Sequence, residues 1–268
     1  MTLIADHAAV AGQLAFYDRT HHPLLADSRD LTLLRSENPV TECRLTIQVT
    51  YDQYRHIDTT ALFNLGPGTR GPRSQGNFLS DQAIDIELAL KPEYLPLLLA
   101  QGATAESAAA VLVQLSQEPP GTADDISDLL RTESWLALSV KQIQADGEKG
   151  YTTLWHYLNP AHWTEGEGAS DRIADGIVNF VKDWTEANLT AATKEAASGL
   201  LEGVSTLFSE LEEWVDQSFP NDEEKPVPES TLLDTVANFF DQENWPYVRV
   251  PQESALTLAF KGEQGRWN

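Results

Sequence analysis

Two runs of strict apolar and polar alternation limit what this chain can fold into more than any other feature. In Arg44–Tyr51, Leu45, Ile47, Val49 and Tyr51 alternate with Arg44, Thr46, Gln48 and Thr50, and Asp81–Leu90 places Ile84, Ile86, Leu88 and Leu90 on one side in the same way. Successive side chains of a strand point to opposite faces, so such runs bury one face only as strands of a sheet covered on that side. Trp135–Ile143 is a third strand candidate. The turn-forming Ala145–Gly150 follows it, and then the aromatic run Tyr151–Leu158, which reads as a return strand or a short helix. Between the strands lie helical stretches at Pro92–Gln101 and Thr104–Gln117. The second carries Ala105, Ala108, Ala109, Leu112, Val113 and Leu115 behind a Thr104 cap with Glu106 in the first turn, and Pro119-Pro120-Gly121 ends it. Asp124–Arg131 reads as another short helix. The expected class is α+β, with residues 1–163 forming a mixed unit on a largely antiparallel sheet.

The character of the chain changes at the polar hinge 164–169, after which Ser170 and Asp171 are suited to open a helix. Across 170–219, Ile173, Ile177, Phe180 and Trp184, then Leu200, Val204, Leu207, Leu211 and Trp214, step by threes and fours, the spacing of one helix face. The Ala-rich stretch between these two seams leaves open one long helix or two that fold back, and two are favoured. Residues 220–230 form a linker in which Pro226 and Pro228 cannot continue a helix.

In the last segment, 231–268, Ser230 or Thr231 can cap a helix Leu232–Gln242 with Leu233, Val236, Ala237 and Phe240 on one stripe, stopped at Asn244-Trp245-Pro246. A strand at Ala255–Phe260 and a hairpin turn at Gly262–Gly265 lead into Arg266-Trp267-Asn268. The order of Phe239-Phe240, Trp245-Pro246, Phe260, Gly262-Glu263, Gly265 and Trp267 resembles the opening of the YbjN-like family, whose fold is similar to that of type III secretion chaperones. The resemblance implies a small, non-enzymatic, bacterial α/β module that binds partner protein and can dimerise. The family's domain runs on through further strands and a final helix, so the expectation is that the natural chain continues past Asn268 or that a partner completes the sheet. Residues 1–230 resemble no family.

Forty-one acidic residues against 18 basic give a net charge of −23, a field that repels phosphate backbones and anionic lipid. Nucleic acid is therefore not expected as a partner, nor is a membrane. The helical region 170–219 carries ten acidic and three basic residues where lipid binding favours the reverse. Cys43 is the only cysteine, which rules out an internal disulfide, and neither a signal peptide nor an apolar membrane span is evident. A cytoplasmic location is the expectation.

Several residue sets carry side chains of the types that chemistry uses. His21-His22, with His7 and Asp18 or Asp27, have the right types for zinc, but neither an HExxH motif nor a cysteine pair supports a site, and the pair before Pro23 reads as an exposed turn. The glycine-rich Gly66–Asn77 holds Arg70 and Arg73, an anion-binding candidate, although it lacks the Gly-Lys-Ser/Thr ending of a phosphate loop. Cys43 opens a strand, where a buried cysteine acts as a small hydrophobe. Asp85 and Glu87 share the outward face of theirs. No catalytic residue, cofactor or metal is assigned. The leading expectation is a protein-binding factor, assembly, chaperone-like or regulatory, with Ile177, Phe180, Trp184, Val204, Leu207, Leu211, Trp214, Trp245 and Trp267 as interaction candidates. The alternative is a small-ligand or enzymatic N-terminal unit using His21, His22, Arg70 or Arg73.

Overall fold

The alternating runs form the middle of a seven-stranded antiparallel sheet. The computed structural model describes residues 3–36, 39–66, 69–71, 77–117, 125–159, 175–180 and 182–183, with the backbone of 247–250, 255–258, 260–262 and 265–267. Strands β1 (Leu3–Ala9), β2 (Gln13–Tyr17), β3 (Pro23–Ser36), β4 (Val40–Val49), β5 (Ile84–Leu90), β6 (Trp135–Gln144) and β7 (Gly147–Thr152) follow in chain order. Across the sheet the order is β1-β3-β4-β5-β6-β7, and β2 shares with β1 the same side of β3. The fold class is α+β. In register, Ile47 faces Ile86 and Ile86 faces Val140, so the apolar phase of each strand falls on one inner face.

Besides shifted starts, β4 at Val40 rather than Arg44 and β5 at Ile84 rather than Asp81, two further boundaries differ from the sequence expectation. The first strand ends at Val49 because Thr50 opens helix α1 (Tyr51–Thr60), and Tyr51 therefore lies in a helical first turn. Thr50 Oγ1 accepts the Gln53 N–H at 3.3 Å while the Gln53 side chain accepts the Thr50 N–H at 2.8 Å, a reciprocal capping box. The second difference is the return strand, which begins at Gly147 straight after a two-residue turn at Ala145 and Asp146. The aromatic run then divides between β7 and helix α4 (Leu154–Tyr157).

Helices α2 (Leu95–Leu99) and α3 (Ala105–Gln117) belong to the same cluster of buried side chains as the inner face of the sheet. At its centre Phe16 stands edge-on to Phe63 at 5.2 Å and to Trp135 at 6.2 Å. The start of β6 is buried on both faces, since α4 packs on the side away from this core and covers Leu136 and Leu138 with Leu154 and Leu158.

Helix α3 is pinned at both ends to the β1–β2 side of the sheet. The Ala105 N–H donates to Asp6 Oδ2 at 2.9 Å, and the Ala15 N–H donates to Ser116 Oγ at 2.9 Å. Between these pins the helix is about 16 Å long. The matching stretch of β3, Leu33 back to Leu25, has a contour of about 26 Å. Side-chain reach at the two pins makes up part of the difference, and a register shift between Ser28 and Asp30 marks a bulge in the strand along this stretch.

The chain divides into two compact units, 1–66 with 73–166 and 67–72 with 167–268. In the second, residues 175–180 are helical, with Ile177 and Phe180 buried. Its described backbone includes β8 (Tyr247–Val250) paired antiparallel with β9 (Ala255–Leu258) and β10 (Phe260–Gly262) paired antiparallel with β11 (Gly265–Trp267). Gly262 and Gly265 are partners at the ends of β10 and β11, the expected strand Ala255–Phe260 is divided between β9 and β10, and β8 has no counterpart in the sequence expectation. The helix Leu232–Gln242, the seam Leu200–Trp214 and the 220–230 linker lie outside the described residues.

Candidate functional site

Among the described residues β1 pairs on one side only, with β3, which leaves its other backbone edge open. The Val10 N–H donates to the Arg29 carbonyl at 3.1 Å, and this bond sets the phase of the ladder. Antiparallel partners alternate between exchanging hydrogen bonds and facing away. The backbone groups of Ala8 and Asp6 thus point toward β3, and those of His7 and Ala9 point outward. The side chains alternate across the faces. Asp6 and Ala8 lie on the inner face opposite Leu33 and Leu31, whereas His7 and Ala9 lie on the outer face opposite Thr32 and Asp30.

Beside this edge runs a groove of about 420 Å³, walled by residues 7–11 and by Glu106, Ala109, Ala110 and Val113 of α3. Small side chains keep helix and strand close while leaving the edge accessible. Ala9, Ala110 and Glu106 are exposed, and Ala8 and Ala109 form the buried floor. The neighbouring edge of β2 is closed by the Ser116 bond and by a parallel bridge from Tyr17 to Arg131. The contrast between the two edges marks the β1 groove as a place where an extended chain can add to the sheet.

The outer face carries a polar network. Arg44 Nε donates to Glu42 Oε1 at 2.7 Å and Arg44 Nη1 to Glu87 Oε1 at 3.1 Å, Ser139 Oγ donates to Glu87 Oε2 at 3.2 Å, and the Asn159 amide donates to Glu42. Burial opposes the charge of Arg44, but the hydrogen bonds and charges of Glu42 and Glu87 outweigh it and raise its pKa. Glu42 is only 2% exposed, so its charge is offset by Arg44 inside the fold. Glu87 is half-buried within this network, and Asp85, on the same outward face, is half-buried and accepts from Gln48 Nε2 at 2.8 Å.

His7, Asp30 and Thr32 meet on the same face without forming a catalytic relay. Thr32 Oγ1 lies 2.9 Å and Asp30 Oδ2 3.5 Å from the same His7 Nδ1. A hydrolase triad needs the carboxylate on one ring nitrogen and the nucleophile on the other. His21 and His22 sit in the turn between β2 and β3, where Thr20 Oγ1 lies 2.7 Å from both Asp18 Oδ1 and His22 Nδ1. The Thr20 hydroxyl and the His22 amide lower the pKa of Asp18. His7 pairs with Thr32, nine strand residues beyond Pro23 and roughly 30 Å along β3, so the histidines do not gather. Among the described residues no group of three His, Cys, Asp or Glu side chains could hold a metal ion.

Cys43 is buried, and burial raises its thiol pKa with Glu42 adding to the effect, which leaves it unreactive. Arg70 is half-buried and follows the fully buried Thr69, while Arg73 lies outside the described residues. Of the interaction candidates, Ile177 and Phe180 are buried. Trp184, Val204, Leu207, Leu211, Trp214 and Trp245 lie outside the described residues, and of Trp267 only the backbone, in β11, is described. The β1 groove carries little signal in the sequence. Val113 and Ala109 fall on an ordinary helix face, and in Leu3–Ala9 apolar and polar residues do not alternate, which leaves a weak strand signal. Comparison of the chain with protein-family models, curated proteins and solved structures finds no match. Among the described residues no helix is long and apolar enough to cross a membrane.

Proposed function

We propose that this chain is a non-enzymatic protein-binding factor, an assembly, chaperone-like or regulatory component of the bacterial cytoplasm. The observation that carries this reading is the open edge of β1 beside the small-residue flank of α3, which offers backbone hydrogen bonds and an apolar wall to an incoming chain. The resemblance of Leu232–Asn268 to the YbjN-like family supports it, as do the apolar seams of 170–219. The strongly acidic surface keeps such a factor dispersed until a partner docks.

Ala9→Pro tests the reading directly. Proline removes the outward N–H of Ala9 while leaving the Ala8 bonds to β3 in place, and edge strands tolerate it. The full-length gene product, tagged and recovered from its native cell, should carry a partner whose yield falls at least tenfold in Ala9→Pro, with the circular dichroism spectrum unchanged. Equal recovery by both proteins would move binding away from β1. A mass equal to the lone chain would remove the reading altogether.

A further inference from the structure

The groove's chemistry specifies what can fill it, an inference that rests on the protein-binding reading above. An added strand would bond to the outward backbone groups of His7 and Ala9, and the antiparallel direction is the more stable ladder. Its side chains must then alternate between two environments. The residue opposite Ala8 turns inward against Ala8, Ala109, Ala110 and Val113, a shallow apolar floor with room for a small or branched side chain. Two positions further along the added strand, the residue opposite Asp6 turns to the same side.

That second position is acidic. Asp6 bonds the first amide of α3, which brings Glu106, the next residue of the helix, alongside it, and Glu106 is exposed. One cation stands beside these two carboxylates, Arg35, which donates to the Ala103 carbonyl just before α3, while Arg29 donates to Gln48. The whole chain adds a net charge of −23. We infer that the β1–α3 groove takes an extended segment of a partner protein with the pattern small apolar, any residue, then Lys or Arg, read from N to C, which adds antiparallel to β1 and sets its cation against Glu106 and Asp6. The charge pairing selects the partner and the backbone ladder holds it.

The test uses the full chain labelled with ¹⁵N and two capped peptides, Ser-Gly-Val-Thr-Lys-Gly-Ser and the same peptide with Glu in place of Lys. The Lys peptide should shift the His7 and Ala9 amides and bind at least tenfold more tightly than the Glu peptide. Raising salt from 0.05 to about 0.5 M should shrink that preference, since the charges are exposed. Glu106→Gln, at an exposed site that does not cap the helix, should reduce the preference at least threefold with the spectrum otherwise retained. Equal binding of both peptides at β1 would overturn the basic specificity while leaving strand addition intact. If neither peptide moves the His7 and Ala9 amides, the peptide site is wrong. Protection of those amides that grows with protein concentration alone would make the groove a contact between two copies and would equally overturn the proposal.

Discussion

Arg44 stands between Glu42 and Glu87, and most of its energetic weight comes from the buried Glu42 carboxylate. Arg44→Met should cost about 3 kcal/mol in urea unfolding, because it strands a charge inside the fold. Lys91 behaves in the opposite way. Burial lowers its pKa from the ordinary 10.5 more than Glu93 and Glu133 restore it. The unfolded chain then binds the proton more tightly, so stability rises as pH climbs through the folded-state pKa toward 10.5. Lys91→Met should accordingly stabilise the protein at neutral pH, and the gain should close above pH 10.5, as followed by thermal unfolding across that range. Gly150 has φ +159°, and a Cβ there would run into the Val140 carbonyl of β6. Gly150→Ala should lower stability by roughly 2 kcal/mol, the scale of overpacking a strand contact.

At the scale of elements, legibility follows how regular the burial is. The alternation of β4 and β5 was readable because burial alternates strictly over Arg44–Val49 and Ile84–Leu88, before β5 buries Ala89 as well. Strand β3 was not, although it is the longest. It buries Leu24, Ala26 and Ser28 and then, past the register shift, Leu31 and Leu33, so the phase slips by one in mid-strand and a period-2 reading cancels itself. The start of β6 shows six consecutive buried residues, which periodicity alone cannot assign to a strand or a buried helix. The end of β4 was misplaced by two residues, although Thr50-x-x-Gln53 is a helix-start signal in its own right. Thr50→Ala should cost about 1 kcal/mol and raise exchange at the first amides of α1. Ser116→Ala should cost about 1–2 kcal/mol, since it leaves the buried Ala15 N–H without its partner. The same change should raise exchange at the Ala15 amide, while the Tyr17–Arg131 bridge still covers the end of β2. The groove itself was invisible in sequence because it needs two segments about a hundred residues apart, each of them unremarkable alone.

For the molecule as a whole, the proposed docking edge of β1 belongs to a protein whose charge discourages indiscriminate pairing. An edge left open invites aggregation unless something manages it. Here the inward-pointing Asp6 carboxylate and the flank of α3 restrict which chains can enter. Amide hydrogen exchange along β1 tests this most directly. In the free protein Ala8 should exchange slowly and His7 and Ala9 at rates close to those of solvent-exposed amides, and the latter two should become protected when the partner or the Lys peptide is bound. Slow exchange at His7 and Ala9 in the free monomer, or no change on binding, would contradict the account.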